Sequence, residues 1–279
     1  MRNIAIMLDI LQYDFFRNAL LVGILSGIAC GIIGSFVVVK KISFISGSIA
    51  HASFGGIGIA YFLGINPVLG ALVFSIISAL SIGTVSHKNK SQEDASIGAI
   101  WAIGMAIGLI FIYFTPGYAA DLMSYLFGNI LLSTNQDLIY IMILNVLIIF
   151  SVVFLFKWLV AVIFDEEFAT ITNIKVFPLY LFLLILIALS VVVLIRSVGV
   201  ILVIALLTLP ASSAQLVSKR FKNIIFIAIF LAVFSNVLGI VLSYYLNWPS
   251  GPVIVFTSAI IYLFFLVYKK IFQRNLGSI

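Results

Sequence analysis

Long stretches without any charged side chain are the feature that most limits what this chain can fold into. Four of them, each 19 to 22 residues long, cover residues 18–39, 138–156, 176–195 and 197–218. A helix needs about 20 apolar residues to cross the hydrocarbon core of a bilayer, and such a segment must be helical because lipid offers its backbone no hydrogen-bond partners. Only 9% of the residues are charged, against roughly 25% in soluble domains. The sequence therefore predicts an all-α integral membrane protein.

Two further uncharged runs, 42–87 and 223–268, are each 46 residues long, which is too long for a single crossing. Each contains a cluster of turn-forming residues near its middle, Gly64–Pro67 in the first and Asn247–Pro252 in the second. Each run is thus predicted to form a helical hairpin. Together the apolar segments predict a polytopic bundle of about 8–9 transmembrane helices. The nine predicted spans are 18–39, 44–64, 67–86, 95–115, 138–160, 176–195, 198–218, 224–246 and 252–268.

The N-terminal segment 1–15 has apolar residues at helical spacing with polar residues between them. This pattern favours an amphipathic helix that lies in the membrane interface, and a disordered tail is the alternative. Residues 16–279 are predicted to form a single transmembrane domain. Within it, the moderately apolar segment 121–136 is a candidate for a short helix that does not span the membrane.

The positions of lysine and arginine predict the orientation, because these residues concentrate on the cytoplasmic side of membrane proteins. With nine spans and the N-terminus outside, twelve of the 15 basic residues lie inside and three lie outside. The net charge of +6 is therefore explained by the cytoplasmic membrane face, and no nucleic-acid partner is expected. The inside set is Lys40, Lys41, Lys88, Lys90, Lys157, Lys175, Lys219, Arg220, Lys222, Lys269, Lys270 and Arg274, and the outside set is Arg2, Arg17 and Arg196.

Polar groups inside a membrane are costly and are functional candidates by default. The densest cluster, in segment 46–56, contains Ser46, Ser48, His51 and Ser53. His51 is the only histidine within a predicted span, and neutral imidazole is the commonest protein ligand of first-row transition metals. Helical spacing places Ser48 near His51 on one face, and Ser46 and Ser53 on one stripe. Two roles for His51 stay open: a metal ligand in a transport path that the serines also line, or a packed residue bonded to backbone.

An acidic cluster followed by an aromatic residue occupies a short loop that the charge rule places inside. The other inside loops are basic, so this loop is either a docking surface for a partner or a solvated turn. The chain contains no G-x-x-x-x-G-K-[ST] motif and no H-E-x-x-H motif. It is therefore not expected to be an enzyme, and in particular not a P-loop ATPase.

Several motifs stand in a fixed order along nearly the whole chain. They include the segment that ends in Ala50-His51-Ala52 and the segment Asp165-Glu166-Glu167-Phe168-Ala169. The others are 93–98, 121–129, 206–211, 242–245 and 249–252. Together these motifs resemble those of the permease subunits of ABC importers for zinc, manganese and iron. Membership of this family would place the chain in the plasma membrane of a bacterium or archaeon.

The resemblance also implies roles and partners. Two permeases would pair as a homodimer in membrane lipid, two cytoplasmic ABC ATPases would dock beneath them, and an extracytoplasmic metal-binding protein would deliver the ion. The divalent metal ion would be cargo, ATP would be used by the partner subunit, and no cofactor would be bound permanently. His51 would contact the ion in transit, and Asp121 would lie in an extracytoplasmic loop. The residues implied in coupling to the ATPase are Asp165, Glu166, Glu167 and Phe168.

One position departs from the family pattern. Members associated with manganese have an aspartate four residues before the histidine, where this chain has Gly47. A hard carboxylate favours hard ions such as manganese, so the absence of one at Gly47 favours zinc.

Two functions other than ATP-driven metal import stay open. A stand-alone secondary transporter or channel would normally need intramembrane carboxylates, which the predicted spans lack. A purely structural membrane subunit would need no polar path at all.

Overall fold

The computed structural model describes residues 12–88, 93–115 and 125–276. The predicted interfacial helix over 1–15 lies largely outside these ranges, and Asp121 lies wholly outside them. Two short 3-10 turns, Ile130–Leu132 and Val200–Leu202, accompany the α-helices. Numbered in chain order, the α-helices are α1 (Asp14–Lys40), α2 (Ser43–Phe62), α3 (Pro67–Lys88), α4 (Glu93–Phe114), α5 (Asn135–Phe164), α6 (Glu166–Ile171), α7 (Val176–Val198), α8 (Val203–Val217), α9 (Phe221–Leu246) and α10 (Ser250–Leu276).

The predicted all-α membrane bundle is confirmed, and each of the nine predicted spans coincides with a helix in the described ranges, the span 198–218 with the 3-10 turn Val200–Leu202 and α8 together. Eight of these helices are long and apolar enough to cross a membrane. The ninth, α2, has 20 residues but is less apolar because it carries the serines, glycines and His51. Both hairpin turns lie where predicted. Gly64 has a φ of 69° between α2 and α3, and Asn247 has a φ of 54° between α9 and α10.

Helix α1 lies at the centre of the bundle, where a row of glycines lets α9 approach its backbone. A Cβ atom added to Gly31 would lie 2.4 Å from Ile229 Cα, and one added to Gly27 would lie 2.8 Å from Val233 N. One turn earlier, Asn236 Nδ2 donates a hydrogen bond of 2.7 Å to the carbonyl oxygen of Gly23. Small residues serve this purpose in membranes because helix association there depends on close packing and interhelical hydrogen bonds.

The polar helix α2 is enclosed by its neighbours. Every residue from Ile45 to Gly58 is buried. Backbone contact on two sides explains this enclosure: a Cβ atom on Gly56 would lie 2.0 Å from the carbonyl oxygen of Gly70 in α3, and one on Gly104 in α4 would lie 2.4 Å from Ala52 Cα. A segment with several polar side chains can thus cross the membrane region because protein, not lipid, surrounds it.

Contacts at the helix ends agree with nine alternating crossings. Asn18 Nδ2 donates to Asn135 Oδ1 at 2.7 Å near the starts of α1 and α5, and Lys40 Nζ donates to the carbonyl oxygen of Val162 at 3.2 Å near their ends. Helices α1 and α5, the predicted first and fifth spans, are therefore parallel. The glycine contacts show that α1 and α9, the predicted first and eighth spans, are antiparallel. We call the end with Lys40 the cytoplasmic end, following the charge rule.

The α1–α9 contact predicts a large cost for a single methyl group at Gly31. Gly31→Ala forces the methyl against the Ile229 backbone, and such overpacking costs about 1–3 kcal/mol. We expect a lower melting temperature for the detergent-solubilised protein. Gly98→Ala is the matched control, because no atom lies within 4 Å of a Cβ added there, so alanine should be neutral or slightly stabilising. Equal melting temperatures for the two variants would contradict the packing analysis.

Candidate metal-transport site and coupling helix

His51 lies on the side of α2 that faces α4. Its ring stacks on the indole of Trp101, with ring centroids 4.2 Å apart and planes inclined by 11°. The side chain is only 8% exposed, and its Nδ1 atom is buried without a hydrogen-bond partner among the described residues. The stack holds the plane of the imidazole ring, while Nδ1 is left without the protein partner that a buried ring nitrogen normally has.

The three candidate serines divide between two sides of α2. Ser48 Oγ donates to the carbonyl oxygen of Ile97 in α4 at 2.8 Å, so Ser48 faces the same helix as His51, as predicted from their spacing. Ser46 and Ser53 donate to carbonyl oxygens of α2 itself, those of Ser43 and Ala50. At about 100° per residue, both lie roughly 140–160° around the helix from His51. The fold thus brings Ser48 and His51 to one face and places Ser46 and Ser53 on the other.

An isoleucine side chain fills the space beside Gly47. At this position the resemblance implies an aspartate in the family members associated with manganese. A Cβ atom added to Gly47 would lie 2.2 Å from Ile204 Cδ1 of α8. Position 47 is one turn before His51 on nearly the same side of α2. The space beside Gly47 on this side of α2 is therefore occupied by an apolar side chain. Among the described residues, no group of three or more His, Cys, Asp or Glu side chains is placed to hold a metal ion.

The acidic loop between α5 and α7 contains the short helix α6. Asp165 caps it, since its Oδ1 accepts a hydrogen bond of 2.8 Å from the backbone N–H of Phe168. Ala169 is fully buried against the bundle, whereas Phe168 is 58% exposed and Ile171 is 81% exposed. The helix thus has a fixed start, an anchored inner side, and two large apolar side chains that face away from the bundle at its cytoplasmic end.

Glu166 connects this short helix to α1. The ammonium group of Lys40 forms a salt bridge with Glu166 at 2.5 Å, and the same group donates to the carbonyl oxygen of Val162. Lys40 is the last residue of α1, and α2 begins three residues later at Ser43. A short chain of contacts therefore runs from α6 through Lys40 to the start of the helix that carries His51.

Sequence reasoning missed three partners at these sites: Trp101, Ile204 and Lys40. Each of them comes from a helix remote in sequence, and its contact depends on how the helices rotate and slide against one another. Trp101 is one of three tryptophans in the chain, and that rarity within an apolar span was the only signal in the sequence. The positions of the basic residues predict that Lys40 lies at the cytoplasmic face, but charge counting does not pair it with Glu166.

Comparison with known proteins settles the family. The model of the ABC 3 transport family matches residues 12–269, a range that includes α1 to α9 in full and most of α10. The chain belongs to the ABC 3 transport family. As a member of this family, it is the transport permease subunit of an ABC importer. Its multi-pass location in the plasma membrane follows from the same membership and from its apolar helices.

Relatives of this ABC 3 permease include proteins named for metal transport. It is 41% identical to a probable metal transport system membrane protein of Chlamydia trachomatis, over 91% of this chain and 88% of that one. It is 34% identical to the manganese transport system membrane protein MntC of Listeria innocua, over 91% and 90% of the two chains. The solved structure of PsaBC from Streptococcus pneumoniae in complex with Fab matches with a TM-score of 0.86 and 32% identity, covering 94% of this chain and 95% of that chain.

Proposed function

We propose that this permease moves a divalent transition-metal ion into the cytoplasm, with zinc favoured over manganese. It would work as a pair of identical permeases with a separate ABC ATPase on the cytoplasmic side and a metal-binding protein on the outer side. The observation that carries the cargo assignment is His51, whose Nδ1 is buried in a polar helix within the bundle and has no hydrogen-bond partner among the described residues.

His51 suits a site that an ion occupies only briefly. An ion held tightly by four protein ligands would not leave, so transport needs weak and partial coordination. One imidazole nitrogen, supplemented by hydroxyl oxygens and water, meets this need. Ser48 is the nearest candidate on the same face, since its donated hydrogen bond to Ile97 leaves the oxygen lone pairs free to bind a cation. Ser46 and Ser53 stay proposed path residues and would be reached only from the opposite side of α2.

The preference for zinc rests on the donors near His51. Imidazole suits zinc, whereas manganese is better served by carboxylate, carbonyl and water oxygens. Ile204 takes the place beside Gly47 where a carboxylate could otherwise reach the site. The Listeria relative is named for manganese, so a direct comparison of the two ions is the informative experiment.

A stand-alone secondary transporter or channel agrees less well with the positions of the carboxylates along the helices. Coupling to protons or sodium normally uses carboxylates inside the membrane. In the described spanning helices, carboxylates occur only in first turns, namely Asp14 in α1, Glu93 and Asp94 in α4, and Asp137 in α5. Such positions suit helix termini because carboxylates there interact favourably with the helix dipole.

Coupling to the ATPase is proposed to use α6. Its exposed Phe168 would insert into a groove on the ATPase, because buried aromatic anchors contribute most of the energy of an interface. Glu167 would lie at the rim and would mainly affect the rate of association. Glu166 is already paired with Lys40, so we expect it to hold α6 against α1.

The first prediction about transport concerns the energy source and the ion. Vesicles containing the permease, its ATPase and its binding protein should accumulate zinc only when ATP is present, and zinc should compete against manganese. The measurement is uptake of radioactive zinc with increasing unlabelled manganese. Uptake that continues without the ATPase would overturn ATP-driven import, and manganese that competes better than zinc would overturn the zinc preference alone.

A second prediction concerns His51. His51→Ala should reduce metal uptake by at least about tenfold, because the ion loses its nitrogen ligand, while expression and co-purification of the ATPase stay unchanged. His87→Ala is a matched control. His87 is the other histidine of the chain, and it too stacks on an aromatic ring, that of Phe177, at 4.3 Å. If both variants transport at the wild-type rate, His51 is a packing residue.

A third prediction compares two exposed residues of α6, Phe168 and Glu167. Phe168→Ala should weaken co-purification of the ATPase by roughly 30-fold, as expected for a hot-spot residue worth about 2 kcal/mol, and should uncouple ATP hydrolysis from uptake. Glu167→Ala, on the same short helix, should mainly slow association and alter its salt dependence. Full uptake and normal retention of the ATPase by Phe168→Ala would place the docking surface elsewhere, with the basic loop Lys219–Lys222 as the next candidate.

A further inference from the structure

An apolar groove lies between α5 and α9, over α1. Its volume is about 530 Å³, within the range of roughly 300–1,000 Å³ typical of small-molecule sites. Its lining includes Ile32 of α1, Ile149 and Val153 of α5, and Phe226 of α9. All four side chains belong to membrane-spanning helices, so the groove opens toward lipid and not toward water. It lies apart from His51 and from α6.

Two lysines line the cytoplasmic end of this groove. Lys157 lies seven residues before the end of α5, and Lys222 is the second residue of α9. Lys222 Nζ lies 5.7 Å from the ring centroid of Phe156, which also lines the groove. Within the described residues, neither lysine forms a salt bridge with a carboxylate. The site thus combines an apolar trough with two cations at one end.

We propose that this groove binds one anionic phospholipid of the inner leaflet. The phosphate would accept charge-assisted hydrogen bonds from Lys157 and Lys222, and an acyl chain would lie along the apolar lining. Basic sites between transmembrane helices on the cytoplasmic side recognise anionic headgroups in this way. An anion also reduces the cost of holding ammonium groups at the edge of the hydrocarbon region, where lysines otherwise snorkel toward water.

Charge and shape together favour a lipid over the other occupants. Free inorganic phosphate would contact only the lysines and would leave the apolar lining uncovered. A second copy of the chain would have to present a carboxylate beside an apolar helix face. The carboxylates of the described spanning helices lie only in first turns, and only those of α4 are at the cytoplasmic end, where the lysines are. A phospholipid supplies the anion and the hydrocarbon in one molecule.

The test uses the full-length permease exchanged with vesicles of phosphatidylcholine and phosphatidylglycerol, and native mass spectrometry to count bound lipids. The wild-type protein should retain one phosphatidylglycerol per chain in preference to phosphatidylcholine. Each lysine near the headgroup should contribute about fivefold to affinity, so Lys157→Gln with Lys222→Gln should weaken retention about 30-fold. Lys175→Gln with Lys269→Gln removes the same charge outside the groove and should retain the lipid.

Blocking the trough tests the apolar half of the site. Val153→Trp should lose the lipid although both lysines remain, and it should fold because Val153 is 71% exposed. Val146→Trp, on the same helix outside the groove and 60% exposed, is its control.

Four outcomes would overturn the proposal: equal retention by both lysine pairs, equal retention of the two lipids, displacement of phosphatidylglycerol by inorganic phosphate, or unchanged retention by Val153→Trp. A loss of dimer mass in Val153→Trp with unchanged lipid would instead identify the groove as a subunit interface.

Discussion

Backbone-to-backbone packing at glycine is the interaction on which the rest of this bundle depends. Lipid is as apolar as leucine, so apolar surface gives the helices little reason to associate. Contact instead comes from close approach, as where Gly31 of α1 meets the backbone of Ile229 and where the missing side chain of Gly34 leaves room for the carbonyl oxygen of Leu207. Through these contacts α8 and α9 both pack directly against α1, the central helix.

The same kind of packing makes the functional helix possible. Because α3 and α4 approach α2 through Gly70 and Gly104, they shield its polar residues from lipid. His51 can therefore be buried there although its Nδ1 has no hydrogen-bond partner in the described part of the chain. Ser48 and His51 both contact α4, so a movement of α2 relative to α4 would disturb the hydrogen bond and the aromatic stack together. Just before the start of α2, Lys40 joins α6 to the short link between α1 and α2. The fold thus provides a continuous series of contacts between the proposed docking helix and the proposed transport site.

Much of the architecture could be predicted because a bilayer permits few stable backbone structures. A helix at each of the nine predicted spans and both hairpin turns were predicted, since an uncharged run of about 20 residues has only one stable form in lipid, and eight of these helices in the described ranges are apolar enough to cross a membrane. The proximity of Ser48 to His51 also followed from helical spacing alone. The side of the bundle that Ser46 and Ser53 face could not be predicted. Their spacing shows that the two residues share one side of α2, but it does not show which neighbouring helix that side contacts.

The sequence by itself determined the class of structure, the approximate helix boundaries, the preferred cytoplasmic end and His51 as the candidate ligand, because each of these depends on local composition or on spacing along one helix. Tertiary structure alone decided which side chains meet: Trp101 against the ring of His51, Ile204 in the space beside Gly47, Lys40 on Glu166, and the two lysines at the end of one groove. The physical reason is that these contacts join helices far apart in the chain, and they depend on the rotation and axial shift of each helix, which the glycine contacts set only when the whole bundle has packed.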